Sequence, residues 1–489
     1  MSVLIVVEKP RRWPLDLPQV DVVSARDYLV DSSYSDMKGA TVYNLCRLMG
    51  YQTLGYYVSL LATARGHRPL PSVATLQDLR LDPILRIAAD EANDLMQHAL
   101  ADLKSDKFTL SIYFGRNMTK RYDRLCALLF NQFPAPFLRA DFAWKDQWKL
   151  ERVRAIGSGE IPESHRWFVI EQANEFFAHP RRGSRSSRSA RYDMAILTDP
   201  AEPNPPSDAP ALKRFIRAAK RLGISAELIE KDEYGRIAEY DALFIRATTA
   251  VNHYTYRFAR RAAAEGLVVI DDPESVLRCT NKVYQAELFS RHNIATPRTL
   301  IFNEDRAALI AEEIGFPCVL KKPDSSFSQG VTLASDADDL KQKLESVLEN
   351  TELAVVQEFV PSDFDWRIGV LDGEALYACK YFMVPGHWQI QREHRAGGKQ
   401  MGGWETVPLR EAPAKAVRLA IKAATLIGDG LYGVDVKEIS GRFLVMEIND
   451  NPSIESGVED AVIGEHLYES VMRWFLERLE QRGRRGAML

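Results

Sequence analysis

A multi-domain α/β protein is what this sequence predicts, on three observations. From Asp193 to Ile270 short apolar strands alternate with amphipathic helical segments, the order that builds a small parallel sheet. From Gly433 to Pro452 apolar residues fall at alternate positions on two arms around a glycine, as a half-buried antiparallel hairpin requires. Before Pro180 strand and helix signals are mixed, and a mixed α/β domain is predicted there. The 489 residues suit about three or four domains with sizeable cores.

A net charge of −4 is small for this length, so neither nucleic acid nor a membrane surface is an expected partner. The cysteines, Cys46, Cys126, Cys279, Cys318 and Cys379, are scattered without metal-ligand spacing and mostly sit in apolar runs. That usage predicts reduced core thiols in a cytoplasmic protein. Val3 to Val7 runs straight into Glu8, Lys9 and Pro10, which is too short for a signal segment and suits a strand. No apolar run approaches membrane-spanning length.

Along the first domain, helical segments are predicted around Tyr43 to Arg65 and a strand over Phe108 to Phe114. Leu54 to His67 carries apolar residues at helical spacing, with Gly66 where a C-cap belongs. It reads as a core helix without catalytic residues. Arg181 to Arg191 is polar and basic with no apolar period, so it is read as a linker over 181–192, closing a domain of 1–180. Contact with nucleic acid or an acidic partner is the alternative, disfavoured because no aromatic side chain interleaves the arginines.

After the linker come a strand over Met194 to Leu197, a helix over Ala211 to Leu222 and a strand over Ala242 to Arg246. A helix over Tyr254 to Glu265 and a strand over Leu267 to Ile270 follow. Arg246 ends its strand, where open α/β sheets place ligand groups. With Asn252 and His253 it forms a candidate site for a carboxylate substrate; a surface arginine beside a polar loop is the alternative.

The hairpin carries the most chemistry. Val434 and Val436 share one face of its first arm, and Leu444, Met446 and Ile448 one face of its second. The other face holds Asp435, Glu447 and Asn449. A three-residue loop, Ser440 to Arg442 with Gly441 at positive φ in a bulge, pairs Val434 with Ile448 and Val436 with Met446, and sets Asp435 opposite Glu447. A two-residue loop slides the arms by one and puts Val434 across from Glu447. Carboxylates at cross-strand distance repel, and hard divalent cations remove the conflict. A solvated hairpin face is the alternative; Asn449-x-x-Pro452 and the matching register favour metal ligands.

This stretch resembles the C-terminal signature of the ATP-grasp ligases, Gly-Val-Asp followed by Glu-hydrophobic-Asn-x-x-Pro, and is similar to the RimK branch of glutamate ligases. The resemblance runs from Asp193 onward. It implies a Rossmann-like pre-ATP-grasp domain over 193–280 and a two-lobed ATP-grasp domain over 281–489, with a nucleotide flap lobe over about 296–360 and a metal and substrate lobe over about 361–489. Leu54 to His67 with Tyr43 to Cys46 resembles the N-terminal domain found ahead of some RimK-like ligases. The implied cofactors are ATP and two Mg2+ ions, or Mn2+ in their place, on Asp435, Glu447 and Asn449.

The same resemblance assigns the remaining site. Lys282 matches the family's first ATP lysine. Cys318 to Val331 is a strand, a small-residue loop and a second strand, the form of a flap whose backbone N–H groups approach phosphates. Lys321, Ser326, Gly330 and Val331 align with the family form, whereas Ser325 and Ser328 replace usual glycines and Lys322 a usual proline; Lys321 is preferred as the phosphate lysine. Ala354 to Pro361 resembles the adenine hinge and assigns nucleotide contacts to Gln357, Glu358 and Phe359. Asp365-Trp-Arg367 matches the family's Asp-x-Arg, placing Asp365 with the nucleotide and Arg367 at phosphate or the acyl intermediate, where a preorganised cation is worth ~3 kcal/mol. His387 to Trp404 occupies the place of an Arg-x-Asn element; the asparagine is missing, and Arg392 is the candidate. Lys437 shares the acidic face with Asp435 and is read as a structural ion-pair partner of the acids, with phosphate contact as the alternative.

The implied activity is an ADP-forming ligase that joins a small-molecule carboxylate to an amine through an acyl phosphate, with an amino acid such as glutamate or a short peptide as substrate. No nucleic-acid or membrane partner is implied, and a homo-oligomer is compatible. The alternatives are an ATP-grasp ligase with a non-amine acceptor and a catalytically silent nucleotide-binding protein.

Overall fold

The computed structural model describes residues 3–486 apart from 14, 16–19, 36, 38–39, 81, 179–189, 303–309, 311, 324–329, 349–350, 352 and 394–398. The chain forms two compact units, one of residues 1–187 with 232–239 and 488–489, the other of 188–231 with 240–487. Most of the predicted linker lies outside the described residues.

In the first unit, strands β1 (Val3–Val7), β2 (Asp21–Ser24), β3 (Thr41–Asn44) and β4 (Arg68–Leu70) form a parallel sheet in the order β2-β1-β3-β4. Strands β5 (Lys107–Tyr113), β6 (Phe137–Lys145) and β7 (Gln147–Ala155) form a separate antiparallel sheet in that order. Tyr43, expected at a helix start, belongs to β3. Its neighbours Thr41 and Val42 are β-branched and the strand is buried along its length, the environment of a central parallel strand. The helix begins only at Leu54 and ends at Ala64, with Gly66 at φ 70 beyond it.

The second unit opens with β8 (Tyr192–Leu197), β9 (Ile224–Ile229), β10 (Ala242–Ile245) and β11 (Val268–Ile270), a parallel sheet in the order β11-β10-β8-β9. The helix Ala209–Arg221 is fixed at its start by Asp208, whose carboxylate accepts the Ala211 N–H at 2.9 Å, and at its end by Lys220 and Arg221 near the exposed carbonyls. Its Phe215 packs edge-on against Tyr468 of the long helix Glu465–Gly486, with ring centroids 4.7 Å apart, so the last helix closes one face of this sheet.

Two further sheets follow. One has the order β12-β15-β13-β14, built from β12 (Thr299–Phe302), β13 (Cys318–Lys321), β14 (Val331–Ala334) and β15 (Ala354–Glu358). The other contains β16 (Phe364–Leu371), β17 (Glu374–Phe382), β20 (Trp404–Val407), β21 (Leu431–Ile439) and β22 (Arg442–Asn449), in the order β20-β17-β16-β21-β22. The short pair β18 (Gln391–Glu393) and β19 (Lys399–Met401) stands apart. Trp366, Ile368 and Val434 line the buried face of the larger sheet, against the alanine-rich helix Ala414–Thr425. That burial leaves Arg367 and Asp435 on the opposite face, which positions the site.

All five cysteines are buried as free thiols. Among the described residues no helix is long and apolar enough to cross a membrane.

Candidate active site

The hairpin β21–β22 reaches the expected acid pairing by a different route. Its loop is two residues, Ser440 and Gly441, both left-handed at φ 48 and 73, the twist of a type I′ turn. That loop pairs Val436 with Val445, and the register then shifts between Asp435 and Val436. Met446 is the extra residue of a bulge, and beyond it Asp435 faces Glu447 and Val434 faces Ile448. The expected three-residue loop and the pairing of Val436 with Met446 are therefore corrected. Val445 and Ile448 are the buried side chains of this arm, while Leu444 and Met446 are half-buried.

Gln285 holds the acid-bearing end of β22. Its amide oxygen accepts the Ile448 N–H at 2.8 Å and its nitrogen donates to the Ile448 carbonyl at 2.9 Å, so the side chain pairs with the strand edge as a backbone would. Gly433 leaves room for the neighbouring strand: a Cβ there would lie 2.9 Å from Arg367 Cδ and 2.8 Å from Pro452 Cβ.

Arg367, paired with Asp435 across β16 and β21, binds its carboxylate with both prongs, Nε to Oδ1 at 2.5 Å and Nη2 to Oδ2 at 2.8 Å. Asn449 Nδ2 lies 3.3 Å from the same Oδ2. Burial pushes Asp435 up to about 6 against the pull of Arg367. Glu447 moves the other way: burial would raise it, but Lys282, Lys321 and Arg367 together hold it below the usual range. Lys282 Nζ is 4.0 Å from Glu447 Oε2, and the Lys282 N–H donates to the Pro323 carbonyl at 2.9 Å, tying the helix Lys282–Arg291 to the base of the flap.

Lys321 and Lys322 part at the end of β13. Lys321 is buried, its charge sensed by Glu447, Lys282 and Lys437, and burial pulls its ammonium down to about 8. Lys322 turns to the other face and covers Gly330, whose Cβ would meet its Cδ at 2.9 Å. The Lys322 N–H donates to the Gly330 carbonyl at 2.9 Å, and Lys321 pairs with Val331, so the flap's two arms are joined at the root. Ser326 lies outside the described residues.

The hinge residues sit on and just after β15. Gln357 donates from Nε2 to Thr299 Oγ1 at 3.0 Å, while its buried Oε1 has no hydrogen-bond partner among the described residues. Glu358 is tied to Arg298 by side chain and backbone, and the Phe359 ring meets Trp388 edge-on at 5.9 Å. Asp365 accepts from Lys437 Nζ at 2.6 Å, so the ion-pair partner of Lys437 is an acid of β16 and not one of the hairpin's own. Arg392 lies in β18, paired with Gln400.

Two carboxylates and an amide gathered on one sheet face, beside three cations, form a donor set of hard oxygens suited to a divalent metal. Among the described residues no three His, Cys, Asp or Glu side chains gather around one metal-sized point.

Two family models match this chain: the RimK-like ATP-grasp N-terminal domain over residues 25–172 and the RimK-like ATP-grasp domain over residues 279–468. The chain belongs to the RimK-like ATP-grasp family. The alpha-aminoadipate–LysW ligase LysX of Sulfolobus acidocaldarius is 28% identical over 287 residues, 54% of this chain and 97% of that protein. A probable alpha-L-glutamate ligase of Serratia proteamaculans is 28% identical over 301 residues, 57% of this chain and 94% of that protein. Among solved structures, a D-alanine–D-alanine ligase from Bacillus anthracis aligns over 60% of this chain and all of its own, at 15% identity and a TM-score of 0.47. The two domain matches make this protein RimK-like, within the ATP-grasp carboxylate-amine ligases.

Arg246 does not open toward a ligand. It is 1% exposed and donates to Ser207 Oγ at 3.0 Å, Asn451 Oδ1 at 2.6 Å, the Pro206 carbonyl at 2.5 Å and the Pro452 carbonyl at 2.8 Å. It is a strut between β10 and the turn that follows Asn449, which corrects its reading as a substrate group. Asn252 is exposed, and His253 Nδ1 is 3.0 Å from Thr255 Oγ1 at the start of the helix Tyr254–Ala264. Replacing Arg246 with Ala removes the donor from the buried Pro452 carbonyl and from the Asn451 amide oxygen, while the Pro206 carbonyl keeps the Ile454 N–H at 2.8 Å, and is expected to lower stability by about 3 kcal/mol or more. Urea unfolding checks this; a shift below about 1 kcal/mol contradicts the strut.

Residues the sequence did not reveal support Arg367 from behind. Its guanidinium lies over the Tyr381 ring at 5.3 Å, and the Tyr381 hydroxyl donates to the buried carboxylate of Glu459. Asp450, next to Asn449, is buried and pushed up to about 7, with Oδ2 lacking a partner among the described residues. The only signal in the sequence was an acid set in an apolar context.

Proposed function

We propose that this protein is an ADP-forming ligase that activates a carboxylate as an acyl phosphate and passes the acyl group to an amine. The convergence of Lys282, Lys321 and Arg367 on the Asp435–Glu447 pair carries this reading. Asp435, Glu447 and Asn449 would hold Mg2+, which on binding neutralises the β and γ phosphate oxygens. Lys282 and Lys321 hold the phosphates as point charges. The substrate carboxylate oxygen forms a bond to the γ phosphorus as ADP leaves. The amine nitrogen then bonds to the acyl carbon, phosphate departs with the acyl oxygen, and the amine gives up a proton. Arg367 steadies the acyl phosphate with Arg392 in the metal and substrate lobe of about 361–489, where Asp365 serves the nucleotide; Gln357, Glu358, Phe359 and Gly330 belong to the nucleotide lobe of about 296–360.

One substrate is read as an amino acid such as glutamate or a short peptide, supported by the relatives' names. The test is incubation with pooled amino acids and short peptides, following nucleotide by chromatography and condensation products by mass spectrometry. ADP and phosphate released only with substrate are expected. AMP and pyrophosphate, or no substrate-dependent release, would reject the acyl-phosphate route.

A further inference from the structure

We infer that the first unit is a reduced copy of the catalytic unit in which the metal-facing positions have become an arginine face that takes the carboxylates of an extended acidic peptide. The parallel sheets share one topology: second, first, third and fourth strand, side by side, in β1–β4 and again in β8–β11. The third strand ends alike in both, with the Leu45 N–H on the Val6 carbonyl at 2.9 Å and the Arg246 N–H on the Leu197 carbonyl at 2.8 Å. An eleven-residue helix precedes the fourth strand in each, Leu54–Ala64 and Tyr254–Ala264, and each ends before a left-handed glycine, Gly66 at φ 70 and Gly266 at φ 76.

The match continues into the antiparallel sheets. Strands β5-β6-β7 follow the plan of β16-β21-β22. After the first strand each chain turns through two left-handed residues, Phe114 and Gly115 in one, Asp372 and Gly373 in the other. A helix precedes the second strand in both, Asp123–Gln132 and Ala414–Thr425. Asp141 takes the place of Asp435: Thr109 pairs with it as Arg367 pairs with Asp435, and the register shifts directly after both acids. Thr109 even binds Asp141, Oγ1 to Oδ1 at 2.8 Å.

Across from Asp141, however, stands Arg152 where Glu447 would be, and Arg154 occupies the place of Asn449. Arg139 replaces Gly433 and faces Arg154 directly. Like charges at that distance are costly, and Glu160 answers only part of them: its Oε2 meets Arg154 Nη1 at 2.7 Å and its carbonyl accepts from Arg139 Nη2 at 3.1 Å. Arg152 is exposed and has no ion-pair partner among the described residues. The face cannot hold a metal nucleotide, and it asks for anions. On β7, Arg152 and Arg154 stand two residues apart on one face, about 6.7 Å, the spacing at which an extended peptide presents successive carboxylates on one side. The acids Asp141 and Glu160 among the arginines disfavour a continuous phosphate backbone. This face stands whether or not the ligase reading holds.

The test is hydrogen–deuterium exchange of the full chain with hexaglutamate. Exchange over residues 137–155 should slow at least about two-fold, and Arg152→Glu, an exposed change, should abolish the effect while exchange elsewhere stays as in the parent. Protection confined to residues 431–449, no protection, protection that survives Arg152→Glu, or stronger protection by an oligothymidylate of equal charge would each overturn the proposal.

Discussion

Glu447→Gln is expected to cut metal-dependent turnover by at least about a hundred-fold while leaving the fold in place. The side chain keeps its size and half of its oxygen set, but it no longer carries the charge that a hard cation requires. Glu447 also offsets Lys282 and Lys321, so its loss should draw Lys321 further below its present value of about 8. Manganese titration followed by electron paramagnetic resonance measures metal uptake without relying on catalysis, and circular dichroism reports the fold. Turnover and manganese uptake equal to the parent would remove Glu447 from the ligand set.

Lys321→Met is expected to weaken nucleotide binding by about ten- to a hundred-fold, the range for losing one charge-assisted contact, and Lys322→Met by far less. The same substitution should leave thermal stability unchanged or raise it. Burial moves the Lys321 ammonium from 10.5 to about 8, which corresponds to roughly 3 kcal/mol held against the folded state while both states are charged. Below about pH 8 the whole cost is present. Between about pH 8 and 10.5 the unfolded chain binds the proton and the folded chain does not, so parent stability should rise with pH there, and the rise should vanish in Lys321→Met. Nucleotide affinity runs the other way in the ligand-free protein, falling as the ammonium is lost above about pH 8. Larger loss in Lys322→Met would reverse the assignment of the two lysines.

The sequence disclosed the second unit well because its signals are local. Strand and helix alternation gave the parallel sheet, and Asp435 opposite Glu447 followed from alternation and turn length together. Even so, the pairing was reached through the wrong loop: a bulge at Met446 and a two-residue turn produce the same distal register as a three-residue turn, and periodicity cannot tell them apart. Arg246 was misread because its acceptors, Pro206 and Pro452, lie far along the chain in opposite directions. Tyr381 and Glu459 escaped notice for the same reason. The likeness between the two units was hidden because strand order and register are preserved where residue identity is not, with Arg152 and Arg154 standing for Glu447 and Asn449.

The two-residue tip and the bulge at Met446 set the alignment at the acid end together, and Gln285 clamps it there, so the hairpin's tip shares responsibility for the distant acids. Ser440 and Gly441 are exposed, so another two-residue pair that takes the same left-handed turn, such as Asn-Gly, would leave the acids below in place, whereas a longer connection with the bulge retained would slide them apart.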